Sequence, residues 1–201
     1  MHSTKPVIDL FVLTAPILLL GVISLLGFVG CFTKPPAPEA SLAFISDQTP
    51  GTIRRDNAFF GMAIVVGQDP LKVRALGRFF IAGNAGTHRI KIVDADDANK
   101  AEIALIAVSM VGGTEGMYKY GPVSPVVTLD AGHRYYLLSE ELNPGDEFYD
   151  QDTIVRYTEP GRVNPATVES AVYSDAPGVF VPVGGADHCY GPVNFEYVID
   201  Y

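Results

Sequence analysis

The sequence predicts an all-β protein: an antiparallel β-sandwich of jelly-roll type, preceded by a single N-terminal transmembrane helix. Many short runs with strand periodicity, separated by turn signals about every 8–12 residues, predict the sandwich. A long uncharged apolar segment near the N-terminus predicts the helix. The chain has 201 residues, of which 48% are hydrophobic, and this suits one domain plus an anchor rather than a disordered chain.

The predicted anchor covers residues 1–33. Residues 10–33 carry no charged side chain, and this run is long enough for the ~20 residues that a membrane helix needs. Pro16 and Gly21 interrupt the run, but membrane helices tolerate both residue types. The apolar side chains that define the anchor include Leu10, Leu18, Leu25 and Phe28.

Two other interpretations of this segment stay open. A cleaved secretory signal is one, although the run exceeds the ~7–15 apolar residues usual for such a signal and has no clear cleavage site. The other is a lipoprotein signal, because Phe28-Val29-Gly30-Cys31 resembles a bacterial lipobox. That resemblance implies lipidation of Cys31, which would then begin the mature chain.

A short spacer is predicted over residues 34–41, where the sequence runs Lys34-Pro35-Pro36-Ala37-Pro38-Glu39. Proline fixes φ and favours an extended, semi-rigid chain. A spacer of this length holds the following domain within about 20 Å of the bilayer. Residues 42–201 are predicted to form that domain, on the extracytoplasmic side of the membrane.

The apolar pattern of this domain changes to strand spacing. The predicted strands cover residues 58–67, 71–81, 87–93, 102–108, 126–129, 133–139, 153–157, 167–173, 178–183 and 193–198. Two hairpins are predicted, one over residues 87–108 and one over residues 126–139. The first turns at the Asp94–Asn99 segment, and the second turns at Asp130-Ala131-Gly132.

Alternation within the strands predicts which side chains face the core. His88 has the same parity as Ile90 and Ile92, so its imidazole is expected to point inward and to need a hydrogen-bond partner. In the preceding strand, the same reasoning places one set of side chains on a common face: Val73, Ala75, Phe79 and Ile81.

The formal net charge is −9, which disfavours nucleic-acid binding because the phosphate backbone would repel the protein. An acidic surface permits a basic soluble protein as a partner, and this association would be salt-sensitive.

One acidic turn contains candidate calcium ligands, Asp94 and Asp96. Carboxylates close together suit calcium, but the segment lacks the glycine and the distal glutamate of an EF-hand loop. Turns favour Asp and Asn in any case, so a solvated hairpin turn is the favoured interpretation.

A second acidic segment contains Asp146 and Asp150, beside the aromatic residues Phe148 and Tyr149. Carboxylates next to aromatic rings suit calcium or a stacked sugar ring. The same pattern is typical of a protein interface, in which Phe148 and Tyr149 would serve as anchors.

Other motifs do not indicate a catalytic or metal site. Asp187-His188-Cys189 has no paired ligand spacing elsewhere in the sequence, so zinc is not predicted. The sequence contains neither G-x-S-x-G nor a phosphate-binding Gly-Lys-Ser/Thr loop. We therefore expect no enzymatic activity and no cofactor, although paired carboxylates leave a hydrolase as a minor alternative.

The domain resembles a β-sandwich module of poorly defined function found in exported bacterial proteins, of the galactose-binding-like or jelly-roll type. The landmarks are Leu76-Gly77-Arg78-Phe79, Gly86-Thr87-His88-Arg89-Ile90, Leu129-Asp130-Ala131-Gly132 with Tyr135, Gly145-Asp146 with Phe148-Tyr149-Asp150, and Tyr190-Gly191-Pro192-Val193-Asn194-Phe195. The resemblance implies a fold and a bacterial, periplasmic or extracellular location, and it implies no activity.

These observations predict a non-catalytic accessory subunit, which is anchored in the membrane and packs on the extracytoplasmic face of a larger membrane-protein complex. The host complex is expected to be energy-transducing, either respiratory or photosynthetic. The alternative is a surface module that binds carbohydrate or depends on calcium, and lipidation at Cys31 would make it a lipoprotein.

Overall fold

The structure is a computed structural model that describes residues 40–142, 144–157, 165–191 and 193–199. The secondary structure of these residues consists of strands joined by turns. The strands are β1 (Leu42–Ala43), β2 (Asp47–Thr49), β3 (Ile53–Arg54), β4 (Ala58–Val66), β5 (Leu71–Phe79), β6 (Thr87–Asp94), β7 (Glu102–Ser109), β8 (Tyr118–Leu129), β9 (Arg134–Glu141), β10 (Phe148–Tyr149), β11 (Thr153–Arg156), β12 (Ala166–Ala176), β13 (Val179–Val183), β14 (His188–Cys189) and β15 (Val193–Ile199).

Two antiparallel sheets form the framework of the domain. One has the order β1-β15-β5-β8 and the other has the order β13-β12-β4-β9-β6-β7. A shared apolar core takes Leu76 and Phe195 from the first sheet and Met62 and Ile92 from the second. The predicted all-β antiparallel class is therefore confirmed, and the arrangement is consistent with a β-sandwich.

Two small sheets, of order β14-β11-β2 and β10-β3, complete the described part of the fold. They join segments that are distant in sequence, since β2 pairs with β11 through Gln48 and Val155. Their strands have only two to four residues each.

The first predicted hairpin is confirmed, because β6 and β7 pair in antiparallel register with Ile90 opposite Ile106. His88 is 3% exposed, and Ile90 and Ile92 are fully buried beside it on the same face. The inward orientation predicted from their parity is thus correct.

The second predicted hairpin is wrong, because β8 and β9 belong to different sheets. Strand β8 pairs with β5, whereas β9 pairs with β4 and β6. The intervening turn ends at Gly132, whose φ is +76° and whose amide donates to the carbonyl oxygens of Val66 and Gly67. Glycine adopts this left-handed conformation without steric cost, and the turn carries the chain from one sheet to the other.

A β-bulge at Arg74 changes the side-chain alternation along β5. Val73 and Ala75 face consecutive residues of the neighbouring strand β15, so Arg74 is an extra residue in the strand. Before the bulge Val73 faces the core, and after it Leu76 does so. The inward-facing parity is therefore reversed, and it brings Arg78 into the interior with 0% exposure.

The predicted common face of Val73, Ala75, Phe79 and Ile81 is consequently wrong beyond the bulge. The ring of Phe79 packs at 5.2 Å against Tyr118, and Phe79 is not part of the buried core cluster that contains Val73.

None of the described residues belongs to a helix long and apolar enough to cross a membrane. The predicted anchor residues Leu10, Leu18, Leu25 and Phe28 and the predicted lipidation site Cys31 lie outside the described ranges.

Candidate functional site

A buried ion pair joins the two large sheets near the ends of β5 and β9. Arg78 donates from Nε to Glu141 Oε1 at 3.1 Å and from Nη2 to Glu141 Oε2 at 2.7 Å, and both side chains are fully buried. Ser139 adds a 2.7 Å hydrogen bond to Glu141 Oε1. A paired carboxylate and guanidinium of this kind satisfy each other where neither can be hydrated.

His88 lies next to this pair, and both of its ring nitrogens face oxygen acceptors. Nδ1 is 2.7 Å from the carbonyl oxygen of Glu140 and 3.3 Å from Glu141 Oε2. Nε2 is 3.0 Å from Asp146 Oδ2. Each ring nitrogen therefore has an oxygen partner, and the ring links the end of β9 to the loop that contains Asp146.

Asp146 and Asn84 fasten the loop after β9 to the loop after β5. Asp146 accepts hydrogen bonds from the amides of Ala85 and Gly86 at 2.9 and 2.8 Å. Asn84 donates to the carbonyl oxygen of Glu147 at 2.8 Å and accepts from its amide at 2.9 Å. Asp146 was predicted as a calcium ligand. Its carboxylate instead holds these two loops together through hydrogen bonds.

Asp146 is expected to stabilise the fold in a pH-dependent manner. Burial by itself raises the pKa of this carboxyl, but the hydrogen bonds from His88, Ala85 and Gly86 outweigh burial and leave the pKa below its ordinary value of 3.8. Because the pKa of Asp146 is lower in the folded state than in the unfolded state, its carboxylate stabilises the protein at pH values above the pKa of the unfolded state. This contribution is lost as the pH falls from that value through the lowered pKa.

The variant Asp146→Asn is therefore expected to lower the free energy of unfolding at neutral pH by about 1–3 kcal/mol. The difference from the unsubstituted protein should shrink below about pH 4. Denaturant unfolding over a pH series measures both effects. Asp69→Asn, at an exposed turn position, is the control, and an equal loss in both variants, or a difference independent of pH, would contradict the expected role.

The other acidic candidates also bind groups of the protein itself. Asp94 Oδ1 accepts hydrogen bonds from the amides of Asp96 and Asp97 at 2.9 and 3.0 Å. Asp96 accepts from the amide of Arg134 at 2.9 Å. Among the described residues, no group of three or more His, Cys, Asp or Glu side chains is arranged to hold a metal ion.

The second acidic segment is divided between the interior and the surface. Phe148 is fully buried, packing at 4.8 Å against Phe60, so its ring is not accessible to a partner and the prediction of Phe148 as a surface anchor is corrected. Tyr149 is half-buried against Phe79. Asp150 forms an ion pair with Arg54 at 3.2 Å.

The segment Asp187-His188-Cys189 does not converge on one point. Asp187 accepts a hydrogen bond from Tyr157 Oη at 2.9 Å. Cys189 is a buried free thiol, and burial raises its pKa to about 12. A thiol with this pKa stays protonated near neutral pH and is unreactive.

The cleft that best fits a macromolecular partner lies between β2 and β8. We call it the Tyr118 cleft, with a volume of about 380 Å³. The residues that matter most for its chemistry are Ile45, Gln48, Phe79, Met117, Tyr118 and Tyr120. Tyr118 lies between two other rings, with centroid distances of 5.2 Å to Phe79 and 6.0 Å to Tyr120. Met117 is 60% exposed at the rim.

One amide in this cleft has an unsatisfied hydrogen-bonding group. Tyr118 Oη donates to Gln48 Oε1 at 3.0 Å, which joins β8 to β2. Gln48 Nε2 is inaccessible to solvent and has no hydrogen-bond partner. Exchanging the oxygen and nitrogen of this amide would leave Oε1 unpaired instead. In either orientation one end of the amide lacks a hydrogen-bond partner within the described residues, and leaving it unpaired costs free energy.

A fully buried asparagine supports the wall of the cleft. Asn194 Oδ1 accepts hydrogen bonds from the amides of Ile45 and Phe195, both at 2.8 Å. Its Nδ2 donates to the carbonyl oxygen of Ile45 at 3.0 Å and to Tyr120 Oη at 2.9 Å. With all four groups used, Asn194 fixes the positions of two lining residues.

Sequence reasoning did not identify this cleft. Gln48 and Tyr118 are 70 positions apart, and neither belongs to a recognisable motif. The only sequence signal was the landmark Tyr190–Phe195, which contains the supporting residue Asn194. That landmark indicated a structural role and said nothing about a binding surface.

Comparison with known proteins gives no family assignment: no protein-family model matches the sequence, and no curated protein matches it either.

Proposed function

We propose that the chain is a non-catalytic accessory protein, held in a membrane by residues 1–33, whose jelly-roll domain binds a protein of a larger membrane complex on the extracytoplasmic side. The Tyr118 cleft is the observation that supports this proposal. Its lining is rich in aromatic residues and methionine, the residue types enriched at protein interfaces.

The cleft suits an extended segment of the partner chain. An apolar side chain of the partner would fill the space between Met117 and Tyr118, displacing water from the aromatic rings. Both β2 and β8 are edge strands of their sheets, and edge strands pair readily with added chains.

The proposal predicts site-specific capture of the partner. A photo-crosslinking amino acid at Met117 should form one dominant cross-linked product in native membranes. The same amino acid at Val179, which is 49% exposed on the edge strand β13, should form little of it. After gentle solubilisation, the full chain should migrate with a large complex, and Met117→Asp should reduce co-purification about tenfold or more.

Two results would overturn this function. One is a chain that always migrates alone and gives the same cross-linking pattern from Met117 and Val179. The other is a complex from which Met117→Asp and Val179→Asp are lost equally, because the partner would then not use the Tyr118 cleft.

A further inference from the structure

A second, separate cleft lies on the outer face of the six-stranded sheet, where β4 begins and β12 ends. Phe59 and Lys91 are on this face, because their parity is opposite to that of the core residues Met62 and Ile92. The volume is about 360 Å³, at the lower end of the ~300–1,000 Å³ usual for small-molecule sites. We call it the Lys91 cleft, and the lining residues that matter for its chemistry are Phe59, Lys91, Glu140, Leu142, Ser174 and Asp175.

Two charged groups of the Lys91 cleft have no partner of opposite charge. Lys91 Nζ lies 3.9 Å from the ring centroid of Phe59, and no carboxylate of the described residues is within ion-pair distance of it. Burial lowers the pKa of this ammonium group, because its charged form is less well hydrated there. Asp175 is exposed, and its carboxylate forms no ion pair or hydrogen bond with the described residues. Both groups are therefore available to a ligand.

The other acidic side chains of the cleft are already paired within the protein. Glu140 forms a two-pronged ion pair with Arg89, at 2.6 Å for each contact. The next residue in the wall, Glu141, is held by the buried pair with Arg78. These pairs order the wall at the end of β9, and a site whose walls are already ordered loses little entropy when a ligand binds.

The positions of the two unpaired charges limit the length of the ligand. Asp175 follows Ser174, which is the register partner of Phe59 on the adjacent strand β4. Lys91 reaches over the same Phe59 ring from β6. The ammonium and the carboxylate are therefore separated by about one to two strand spacings, ~5–10 Å, which a short ligand can bridge.

This arrangement indicates the chemistry of the ligand. A simple carboxylate would be attracted by Lys91 and repelled by Asp175, and a simple amine would experience the reverse. A zwitterion satisfies both groups, because its carboxylate pairs with Lys91 and its ammonium group pairs with Asp175. Leu142, which is 53% exposed at the rim, offers an apolar surface that a side chain of the ligand can cover.

We propose that the Lys91 cleft binds a small zwitterion with an apolar side chain, either a free α-amino acid or a dipeptide. This site is distinct from the Tyr118 cleft, since the two share no lining residue. The inference does not depend on the proposed accessory function, and a protein partner and a zwitterion could be bound at the same time.

The test is isothermal titration of the full chain in a non-ionic detergent and phosphate buffer, because zwitterionic detergents and buffers would compete for the cleft. L-Leucine and the dipeptide leucyl-leucine are the probes, and they distinguish the two sources of the same chemistry. Isocaproate keeps the carboxylate of leucine without its ammonium group, and isoamylamine keeps the ammonium group without the carboxylate. At least one of the two zwitterions should bind, and loss of either charge should weaken binding about tenfold or more.

Two variants assign each charge of the ligand to its residue. Lys91→Met should weaken binding of the zwitterion about tenfold or more without weakening binding of isoamylamine further. Asp175→Asn should weaken binding of the zwitterion to a similar extent without weakening binding of isocaproate further. A loss of folded structure would not produce this crossed pattern, because it would affect every probe alike.

Matched controls retain the cleft. Lys72→Met changes a lysine of β5 in the other large sheet, and Asp69→Asn changes an exposed aspartate in a turn outside the cleft; both should bind as the unsubstituted protein does. The proposal fails if neither zwitterion binds, if the singly charged analogues bind as well as leucine does, or if the cleft variants and the controls lose binding equally. Met117→Asp should leave zwitterion binding unchanged, so a failure here is separable from a failure of the accessory function.

Discussion

Replacing Arg78 by methionine is expected to lower the free energy of unfolding by about 3–5 kcal/mol. Methionine fills much of the space of the arginine stem, so packing is largely kept. It leaves the fully buried carboxylate of Glu141 with Ser139 and His88 but without its guanidinium. A buried charge that loses its partner retains the full cost of dehydration.

A double-mutant cycle separates this cost from lost packing. The double variant Arg78→Met/Glu141→Leu should recover most of the lost stability, because replacing both members of a buried pair by apolar residues is often neutral. Arg156→Met, at an exposed arginine of β11, should change stability by no more than about 0.5 kcal/mol. Urea denaturation of the unsubstituted protein, Arg78→Met, Glu141→Leu and the double variant gives the coupling energy. A double variant as unstable as Arg78→Met alone would show that packing, and not the unpaired charge, dominates.

The loss expected for Arg78→Met is a large fraction of the total stability, because the free energy of unfolding of such proteins is only about 5–15 kcal/mol. The ion pair joins β5 of one sheet to β9 of the other. It is therefore one of the contacts that fix how the two layers face each other near these strand ends.

The long strands could be predicted from the sequence because each has one consistently apolar face. Strand β4 (Ala58–Val66) and strand β6 (Thr87–Asp94) were both predicted to within one residue at each end. Their alternation or near-continuous apolar character is a local property that needs no knowledge of neighbouring strands. The orientation of His88 followed from the same local periodicity.

The buried arginine could not be predicted, because the bulge at Arg74 leaves no clear local signal. A shift of one residue sends every later side chain to the opposite face. Simple alternation therefore predicted that Phe79 faces the core, which implies that Arg78 faces solvent. Only the pairing of β5 with β15 reveals the extra residue.

The sequence also does not indicate which strands pair with each other. The turn Asp130–Gly132 predicted a change of direction correctly, but such a turn can join paired strands or carry the chain to another sheet. The short strands β2, β10 and β14 have only two or three residues each, too few for a periodic pattern. Since β2 contributes Gln48 to the Tyr118 cleft, the cleft was missed together with the strand.

Replacing Gly61 by alanine is expected to have an equally large effect, of about 4 kcal/mol or more, which would leave much of the protein unfolded. Gly61 lies within β4, the strand between β12 and β9 in the six-stranded sheet. An added Cβ would lie 1.9 Å from the carbonyl oxygen of Leu137. That oxygen belongs to the backbone of the adjacent strand, so no side-chain rotation can relieve the overlap.

The backbone around Gly61 has little freedom to move away. Its own carbonyl oxygen accepts a hydrogen bond from the amide of Tyr190 at 3.1 Å, and its register partners lie on both flanking strands. Separating β4 from β9 enough to admit a methyl group would break ladder hydrogen bonds in the middle of the sheet. Repulsion between strands, and not a change in conformational entropy, is therefore the expected cause of the loss.

Gly185→Ala is the matched control, because no atom lies within 4 Å of its added Cβ and its φ is outside the left-handed region. Where alanine fits without strain, it reduces the freedom of the unfolded chain and stabilises by about 0.4–1 kcal/mol. The two glycine substitutions should thus have opposite signs in thermal and denaturant unfolding. A Gly61→Ala variant as stable as Gly185→Ala would mean that β4 and β9 are less tightly constrained than the 1.9 Å approach to Leu137 indicates.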